Sequence, residues 1–124
     1  MVASPDVDRT TAALASVGIH PRRTLDGVRG DVDVRYRFFL AGTCVIEVVG
    51  PTRPDPDSAG QPARFAGLAF TAPRVDGFGE LASSPRAAVQ PGRMIVTLRA
   101  PGISVPVAVL TPRGRRDRPG APSP

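Results

Sequence analysis

The chain of 124 residues has no lysine and no tryptophan, and it has a single cysteine and a single histidine. The one cysteine, Cys44, excludes an internal disulfide and is typical of a reducing compartment, so we expect a cytoplasmic protein. No apolar run reaches the roughly 18 residues that a membrane-spanning helix needs. Residues 1–9 also lack the basic flank and the apolar stretch of a signal peptide. These absences predict a protein without a membrane partner.

Positive charge comes from arginine alone. Sixteen arginines and eleven acidic residues give a net charge of +5. The absence of lysine beside abundant alanine, glycine and proline indicates a GC-rich coding sequence, and we expect a bacterial source. Four arginines lie in the tail from Arg113 onward, and without it twelve arginines face ten acidic residues. A nucleic-acid-binding domain carries its basic face in the folded part, so we expect no nucleic-acid partner.

Short motifs that mark common enzyme classes are also missing. The sequence has no glycine-rich phosphate loop, no Gly-x-Ser-x-Gly turn, no Cys-x-x-Cys pair and no His-Glu-x-x-His helix. Cys44 is predicted to be a small buried residue, since no histidine neighbours it in the sequence. His20 precedes Pro21 and is predicted at a surface turn. The sequence thus excludes the reaction types that depend on these motifs.

The first half of the chain predicts one helix followed by strands. A helix is predicted over residues 9–17, capped by Asp6 or Asp8 and ended by Gly18. Strands are predicted over residues 20–25, 34–40 and 44–49, and a turn at 41–43 joins the last two into a hairpin. Alternation over 34–40 separates two groups of side chains. Those on one face are Val34, Tyr36, Phe38 and Leu40, with Tyr36 and Phe38 expected in the core, and those on the other are Arg35, Arg37 and Phe39.

The second half predicts a similar order of elements. Strands are predicted over residues 65–71, 93–99 and 103–110, with Pro106 at an edge or a break in pairing. A short helix is predicted over residues 75–83, weakened by two glycines. Two segments rich in proline are predicted without regular structure: a linker over residues 52–63 and a tail over residues 113–124.

Two sequence echoes connect the halves. Residues 5–8 (PDVD) match 73–76 (PRVD), and a Leu-Ala-Ser follows each of them. Residues 45–51 (VIEVVGP) align with 106–112 (PVAVLTP). Because the echoes occur in the same order, they predict a duplicated module within one domain over residues 1–112. Module one covers residues 1–51 and module two covers residues 64–112.

The repeat predicts a shortened first strand in module one. The strand that opens module two, shifted back by the repeat offset, falls mostly before Met1, and only residues 1–2 remain of it. Either the true start of the chain lies upstream, or the chain exposes an unpaired sheet edge. An exposed edge invites pairing with another chain, so a homodimer is one expected partner.

Four motifs carry a resemblance to a known superfamily: residues 5–9 (PDVDR), 38–42 (FFLAG), 45–51 (VIEVVGP) and 67–71 (GLAFT). In their order and spacing they resemble the vicinal oxygen chelate superfamily, which includes glyoxalase I, extradiol dioxygenases and bleomycin-resistance proteins. The resemblance implies an α+β fold, in which tandem βαβββ modules form a curved mixed sheet or a half-open barrel. It also implies a ligand on the concave face.

Metal-using members of this superfamily hold the ion with His and Glu side chains from the first and last strands of the modules. The resemblance places the last-strand Glu of module one at Glu47, and the corresponding positions of module two fall at Gly67 and Ala108. The remaining position lies before Met1. A catalytic divalent metal typically needs three or more protein ligands. We therefore expect no cofactor, and a divalent metal only if upstream residues complete the site.

Glu47 is the leading candidate for a functional side chain. It interrupts an apolar strand and shares a face with Val45 and Val49, so in a cavity it could act as a base, a metal ligand or a ligand anchor. The alternative is a solvent-facing Glu on a rim strand. The other residues predicted to contact a ligand are Arg37, Phe39, Val45, Val49, Gly67 and Ala69.

Two functions of different classes follow. The first is a glyoxalase-like domain with a degenerate metal site, which binds a small organic ligand in a cavity between the modules, as drug-sequestering relatives do. The second is a metal-dependent lyase, isomerase or dioxygenase whose ligands are completed by an upstream strand. A degenerate paralogue without a function of its own is a third alternative.

Overall fold

The polypeptide forms two units, Met1–Gly67 and Leu68–Pro124, in a computed structural model that describes residues 1–88, 90–99, 102 and 104–114. The division falls after Gly67, so residues 64–67 join the first unit and not the second module to which the sequence assigned them. Of the predicted tail, residues 115–124 lie outside the described residues.

Helix α1, Val7–Ala15, begins at the residue that can cap it. Asp6 has an extended backbone, and its carboxylate accepts a hydrogen bond from the backbone N–H of Arg9 at 3.0 Å. The N-cap is therefore Asp6 and not Asp8, and the helix starts two residues earlier than predicted. Gly18 follows the helix with a φ of +81°, a left-handed conformation that suits glycine. No helix among the described residues has the length and apolarity needed to cross a membrane.

The first unit contains a five-stranded sheet, in the order β2-β3-β4-β1-β5. Its strands are β1 (Val2–Ala3), β2 (Pro21–Arg29), β3 (Val32–Ala41), β4 (Cys44–Pro51) and β5 (Arg64–Phe65). The predicted hairpin is confirmed as β3 and β4, which turn at Gly42 with a φ of +61°. Strand β1 pairs in parallel with β4 and antiparallel with β5. It lies inside the sheet, so of the two alternatives that the sequence left open, the unpaired edge at β1 was wrong.

The core of the first unit lies between α1 and the sheet. Phe39 on β3 is 1% exposed, Val48 on β4 is 0% exposed and Val7 on α1 is 3% exposed. Because side chains alternate along a strand, the face that buries Phe39 also carries Arg35 and Arg37. Cys44 is exposed at the start of β4, so the prediction of a buried cysteine was wrong. It lies beside the hairpin turn, where α1 does not cover the strand.

The proline-rich segment after β4 is held against α1. The guanidinium group of Arg9 donates hydrogen bonds to the backbone carbonyls of Ala59 and Gln61. The segment also closes on itself, since the N–H of Ala59 donates to the carbonyl of Asp55 at 2.8 Å. Residues 52–63 were predicted to be a linker without regular structure. They form turns tied to the helix, because Arg9 supplies donors to carbonyls that strand pairing leaves unpaired.

The second unit contains a four-stranded sheet, in the order β6-β9-β8-β7. Its strands are β6 (Leu68–Thr71), β7 (Arg86–Ala87), β8 (Met94–Thr97) and β9 (Val107–Leu110). Strand β9 begins directly after Pro106, which agrees with the predicted break in pairing. The predicted strand over residues 65–71 is divided between β5 and β6, and these strands belong to different sheets.

The prediction of a helix over residues 75–83 was wrong. Only a 3-10 helix, Gly79–Leu81, forms in this part of the chain. Gly79 has a φ of +53°, which is outside the α-helical region and which glycine adopts without a steric penalty. Val75 and Ala82 flank this segment and pack with Val96 and Val109 in the core of the second unit. Tertiary burial therefore fixes the segment without a regular helix.

The two sheets share one topology. Strands β6, β7, β8 and β9 pair in the same order and directions as β1, β2, β3 and β4. The backbone N–H of Ser4 donates to Val49 at 2.8 Å, and the equivalent N–H of Ala72 donates to Leu110 at 2.9 Å. Each residue of the first pair is separated from its equivalent in the second pair by the same number of positions as in the sequence echoes. The α+β class and the duplicated module are thus confirmed. In the second unit a 3-10 helix takes the place that α1 has in the first unit.

Candidate functional site

The face of the first sheet that points away from α1 carries Glu47, and we call it the open face. Its side chains follow from the strand registers, in which Arg23 pairs with Phe38, Phe38 with Glu47, and Tyr36 with Val49. By these registers the open face includes Ala3, Arg23, Leu25, Arg29, Val32, Val34, Tyr36, Phe38, Leu40, Val45, Glu47, Val49 and Arg64.

Glu47 is half-buried in an apolar setting. Its cross-strand neighbour is the half-buried Phe38, while Leu40 and Val45 beside them are 48% and 61% exposed. Glu47 is the one carboxylate among the described residues of the open face, and it forms no ion pair with another described residue. A carboxylate in this position can accept a hydrogen bond or a proton from a molecule lying on Phe38.

Arg37 and Phe39 lie on the other side of the sheet from Glu47. The Nη1 atom of Arg37 is 2.8 Å from Oδ1 of Asp8 and 2.9 Å from Oγ1 of Thr11, so α1 already binds it. Phe39 is enclosed in the core beneath the helix. Contact of Arg37 and Phe39 with a ligand stays a prediction, and α1 covers the face of β3 that carries them.

The second unit has no carboxylate at the position equivalent to Glu47. The residue there is Ala108 on β9, and it pairs with Ala69 on β6. Ala69 is exposed, whereas Gly67, just before β6, is buried. Contact of Gly67 and Ala69 with a ligand stays a prediction, as does the ligand contact of Val45 and Val49.

The residues present do not fit a metal centre of the superfamily type. Alanine and glycine supply no side-chain donor at two of the expected ligand positions, and the cross-strand neighbour of Glu47 is a phenyl ring. In the described part of the chain, no group of three His, Cys, Asp or Glu side chains converges. A lone carboxylate holds a divalent ion weakly, because a catalytic site needs three or more ligands.

A groove of about 410 Å³ lies between α1 and the turn region after β4. It is lined by Arg9, Thr10, Ala13, Gly60, Pro62 and Ala63. Its one charged side chain is Arg9, whose guanidinium already donates to backbone carbonyls. The groove therefore has a concave shape but little reactive chemistry.

Strand β2 contributes residues that sequence reasoning missed. The predicted strand ended at residue 25, but β2 continues to Arg29 and pairs along its length with β3. Its side chains alternate between the two faces, so Arg23 and Leu25 join the open face. The hairpin register of residues 20–40 was the signal that could have identified them.

An ion pair joins β2 and β3 on the helix side. Arg35 donates to Asp26 through Nε at 2.7 Å and through Nη2 at 2.8 Å. This hydrogen bonding lowers the pKa of the Asp26 carboxyl and raises the pKa of Arg35. A bidentate pair of this kind fixes the register of the two strands.

We expect Arg35→Gln to raise the pKa of Asp26 toward that of a free aspartate, because the hydrogen-bond donor and the charge are both lost. The lowered pKa means that the pair stabilises the fold at neutral pH and loses its effect as the pH falls below about 4. Carboxyl ¹³C shifts measured against pH report the pKa directly. Arg74→Gln is the control, since Arg74 pairs with Asp76. An unchanged Asp26 titration in Arg35→Gln would contradict the assignment.

Comparison with known proteins identifies the fold. No protein-family model and no curated protein matches the sequence. Two structures of methylmalonyl-CoA epimerase from Streptomyces coelicolor resemble the chain, each in complex with 2-nitronate-propionyl-CoA. One has a glutamine replaced by alanine, and the other has a glutamate replaced by glutamine. Each has a TM-score of 0.60 and 19% identity over 91% of this chain and 94% of the epimerase. The chain therefore shares the fold of these epimerase structures.

Proposed function

We propose that the open face of the first unit binds a small organic ligand by apolar contact, with Glu47 as the polar group that orients it. The observation that carries this proposal is a half-buried carboxylate whose neighbours on the face, Phe38, Leu40 and Val45, are aromatic and aliphatic. Binding sites for organic molecules combine these features, an apolar surface and a few placed polar groups.

The apolar side chains of the open face are partly exposed, so a ligand can cover more of their surface. Leu25, Leu40 and Val45 are 41%, 48% and 61% exposed. Covering about 100 Å² of such surface stabilises a complex by roughly 2.5 kcal/mol, before the entropic cost of association is subtracted. A hydrogen bond to Glu47 adds to this and selects ligands that carry a donor. The two epimerase structures of the same fold, which hold a propionyl-CoA derivative, support an organic ligand.

A metal-dependent lyase, isomerase or dioxygenase is the alternative, and the enzymatic activity of the epimerases with this fold favours it. The reaction would need metal ligands beyond Glu47, and Ala108 and Gly67 supply none. Calorimetric titration with nickel, zinc, manganese and iron(II) tests it. We expect no binding tighter than about 1 mM, and tighter binding that Glu47→Gln removes would support the alternative.

Titration of the ¹⁵N-labelled protein with 2-naphthol tests the proposed function. The naphthalene ring can lie on Phe38, and its hydroxyl group can donate to Glu47. We expect saturable amide shifts at Phe38, Val45 and Glu47. Val45→Glu places a second carboxylate on the face and should weaken binding at least about fivefold, which corresponds to about 1 kcal/mol.

Ala13→Glu provides the matched control, because it adds the same charge at an exposed position in the groove beside α1. It should leave 2-naphthol binding unchanged. Shifts confined to Thr10, Ala13 and Gly60, or no saturable shifts up to the solubility limit, would overturn the proposal. Thermal melts of both variants establish that the fold is retained.

A further inference from the structure

Arg23 shares one row of side chains with Phe38 and Glu47. In the register of the first sheet, Arg23 on β2 lies opposite Phe38 on β3, and Phe38 lies opposite Glu47 on β4. All three side chains lie on the open face, so the row runs from a guanidinium group through a phenyl ring to a carboxylate. Adjacent strands are about 4.8 Å apart, so the backbones of Arg23 and Glu47 are separated by roughly 10 Å.

The two charges in this row are available to a ligand. Neither Arg23 nor Glu47 forms an ion pair with another described residue. Strand β2 is exposed along its length and lies at the edge of the sheet. Its one acidic residue, Asp26, is bound to Arg35, and its remaining charges are arginines. Positive potential is therefore concentrated at the β2 end of the row.

We propose that the ligand of the open face is an organic anion that spans this row. Its carboxylate, sulfonate or phosphate binds the guanidinium of Arg23, its apolar body lies on Phe38, and its far end donates a hydrogen bond to Glu47. The inference rests on the proposed function and adds the charge and the orientation of the ligand. Arg suits the anionic end because its planar fork donates two parallel hydrogen bonds to such groups.

The reverse orientation is unfavourable. An anionic group beside Glu47 would face a like charge over a half-buried apolar surface, where the repulsion is screened less than in water. A neutral donor is suited to the Glu47 end. The row therefore selects molecules with one anionic end and one neutral donor end.

The test compares 6-hydroxy-2-naphthoate with 2-naphthol on the full chain by the same amide titration. The two probes share the ring and the hydroxyl donor, and the naphthoate adds a carboxylate at the opposite end of the ring. We expect the naphthoate to bind about fivefold more tightly than 2-naphthol. Arg23→Gln should remove this advantage, so that the two probes bind the variant with equal affinity.

Arg29→Gln is the matched control, since it removes the same charge from the same strand. It lies six residues from Arg23, or roughly 20 Å along the strand, which is beyond the screening length of about 8 Å at physiological salt. We expect it to change the affinity for the naphthoate less than twofold.

Equal affinities for the two probes at the open face would overturn the anion inference and leave the proposed function standing. An equal loss of naphthoate affinity in Arg23→Gln and Arg29→Gln would also overturn it, because the effect would then be one of net charge. Failure of both probes to shift the open face would reject the proposed function itself.

Discussion

Replacing Gly50 by alanine is expected to lower the free energy of unfolding of the first unit by about 3 kcal/mol or more. A Cβ atom at this position would overlap the backbone carbonyl oxygen of Ser4 and would lie 2.8 Å from Cγ2 of Val7. Neither neighbour can give way easily, since Ser4 is bonded to β4 through its N–H and Val7 is buried in the core. Urea unfolding followed by far-ultraviolet circular dichroism measures the loss.

Gly27→Ala supplies the control for Gly50→Ala. Both glycines lie in strands of the first sheet, and neither has a positive φ. At Gly27 the nearest atom to an added Cβ is Cε2 of Tyr36 at 3.9 Å, an ordinary van der Waals contact. We expect a change below about 0.5 kcal/mol there. Equal effects of the two substitutions would contradict the close approach of Ser4 and Val7 to β4 at Gly50.

Truncation of Phe39 to alanine is expected to cost about 3 to 5 kcal/mol of stability. The ring is 1% exposed, and its removal leaves a cavity between α1 and the sheet, against Val7 and Val48. Leu40→Ala is the control on the neighbouring residue, which is 48% exposed on the open face. It should cost less than about 1 kcal/mol. Denaturant unfolding of the two variants under identical conditions gives the comparison.

Binding of 2-naphthol to Phe39→Ala and Leu40→Ala tests which face of β3 contacts the ligand. If Phe39→Ala keeps native stability but loses binding of 2-naphthol, the ring contacts the ligand and does not support the core. That result would support the prediction that Phe39 contacts a ligand. We expect the opposite, a protein that unfolds more easily and whose folded fraction binds 2-naphthol with unchanged affinity.

Local chemistry made several elements of the fold predictable. Asp6 and Gly18 bracket α1 because each satisfies backbone groups that the helix leaves unpaired. Gly42 fixes the turn of the hairpin, and alternation along β3 separates Phe38 from Phe39. The duplicated module was predictable because both copies bury a valine at one position of the last strand, Val48 and Val109. The helix cap, the turn and the alternation each lie within a few residues of the element that they determine.

Other elements depended on partners distant in the sequence. Residues 65–70 carry no polar side chain, yet the chain leaves one sheet at Phe65 and enters the other at Leu68. Residues 52–63 lack any periodic pattern, and their order comes from Arg9 on α1. The segment around Gly79 is spaced like a helix, but the buried Val75 and Ala82 hold it in another conformation. In each case long-range contact outweighs local preference.

The candidate site divides in the same way. By itself, the sequence determined that Glu47 shares a face with Val45 and Val49, and that Arg37 and Phe39 share a face with each other. Only the tertiary structure decided which faces of the neighbouring strands lie on the same side of the sheet, and which side α1 covers. The physical reason is that a repeat of two residues separates the faces of a strand without marking either as buried. Packing of α1 against Phe39 and Val48 made that choice and left Glu47 on the open face.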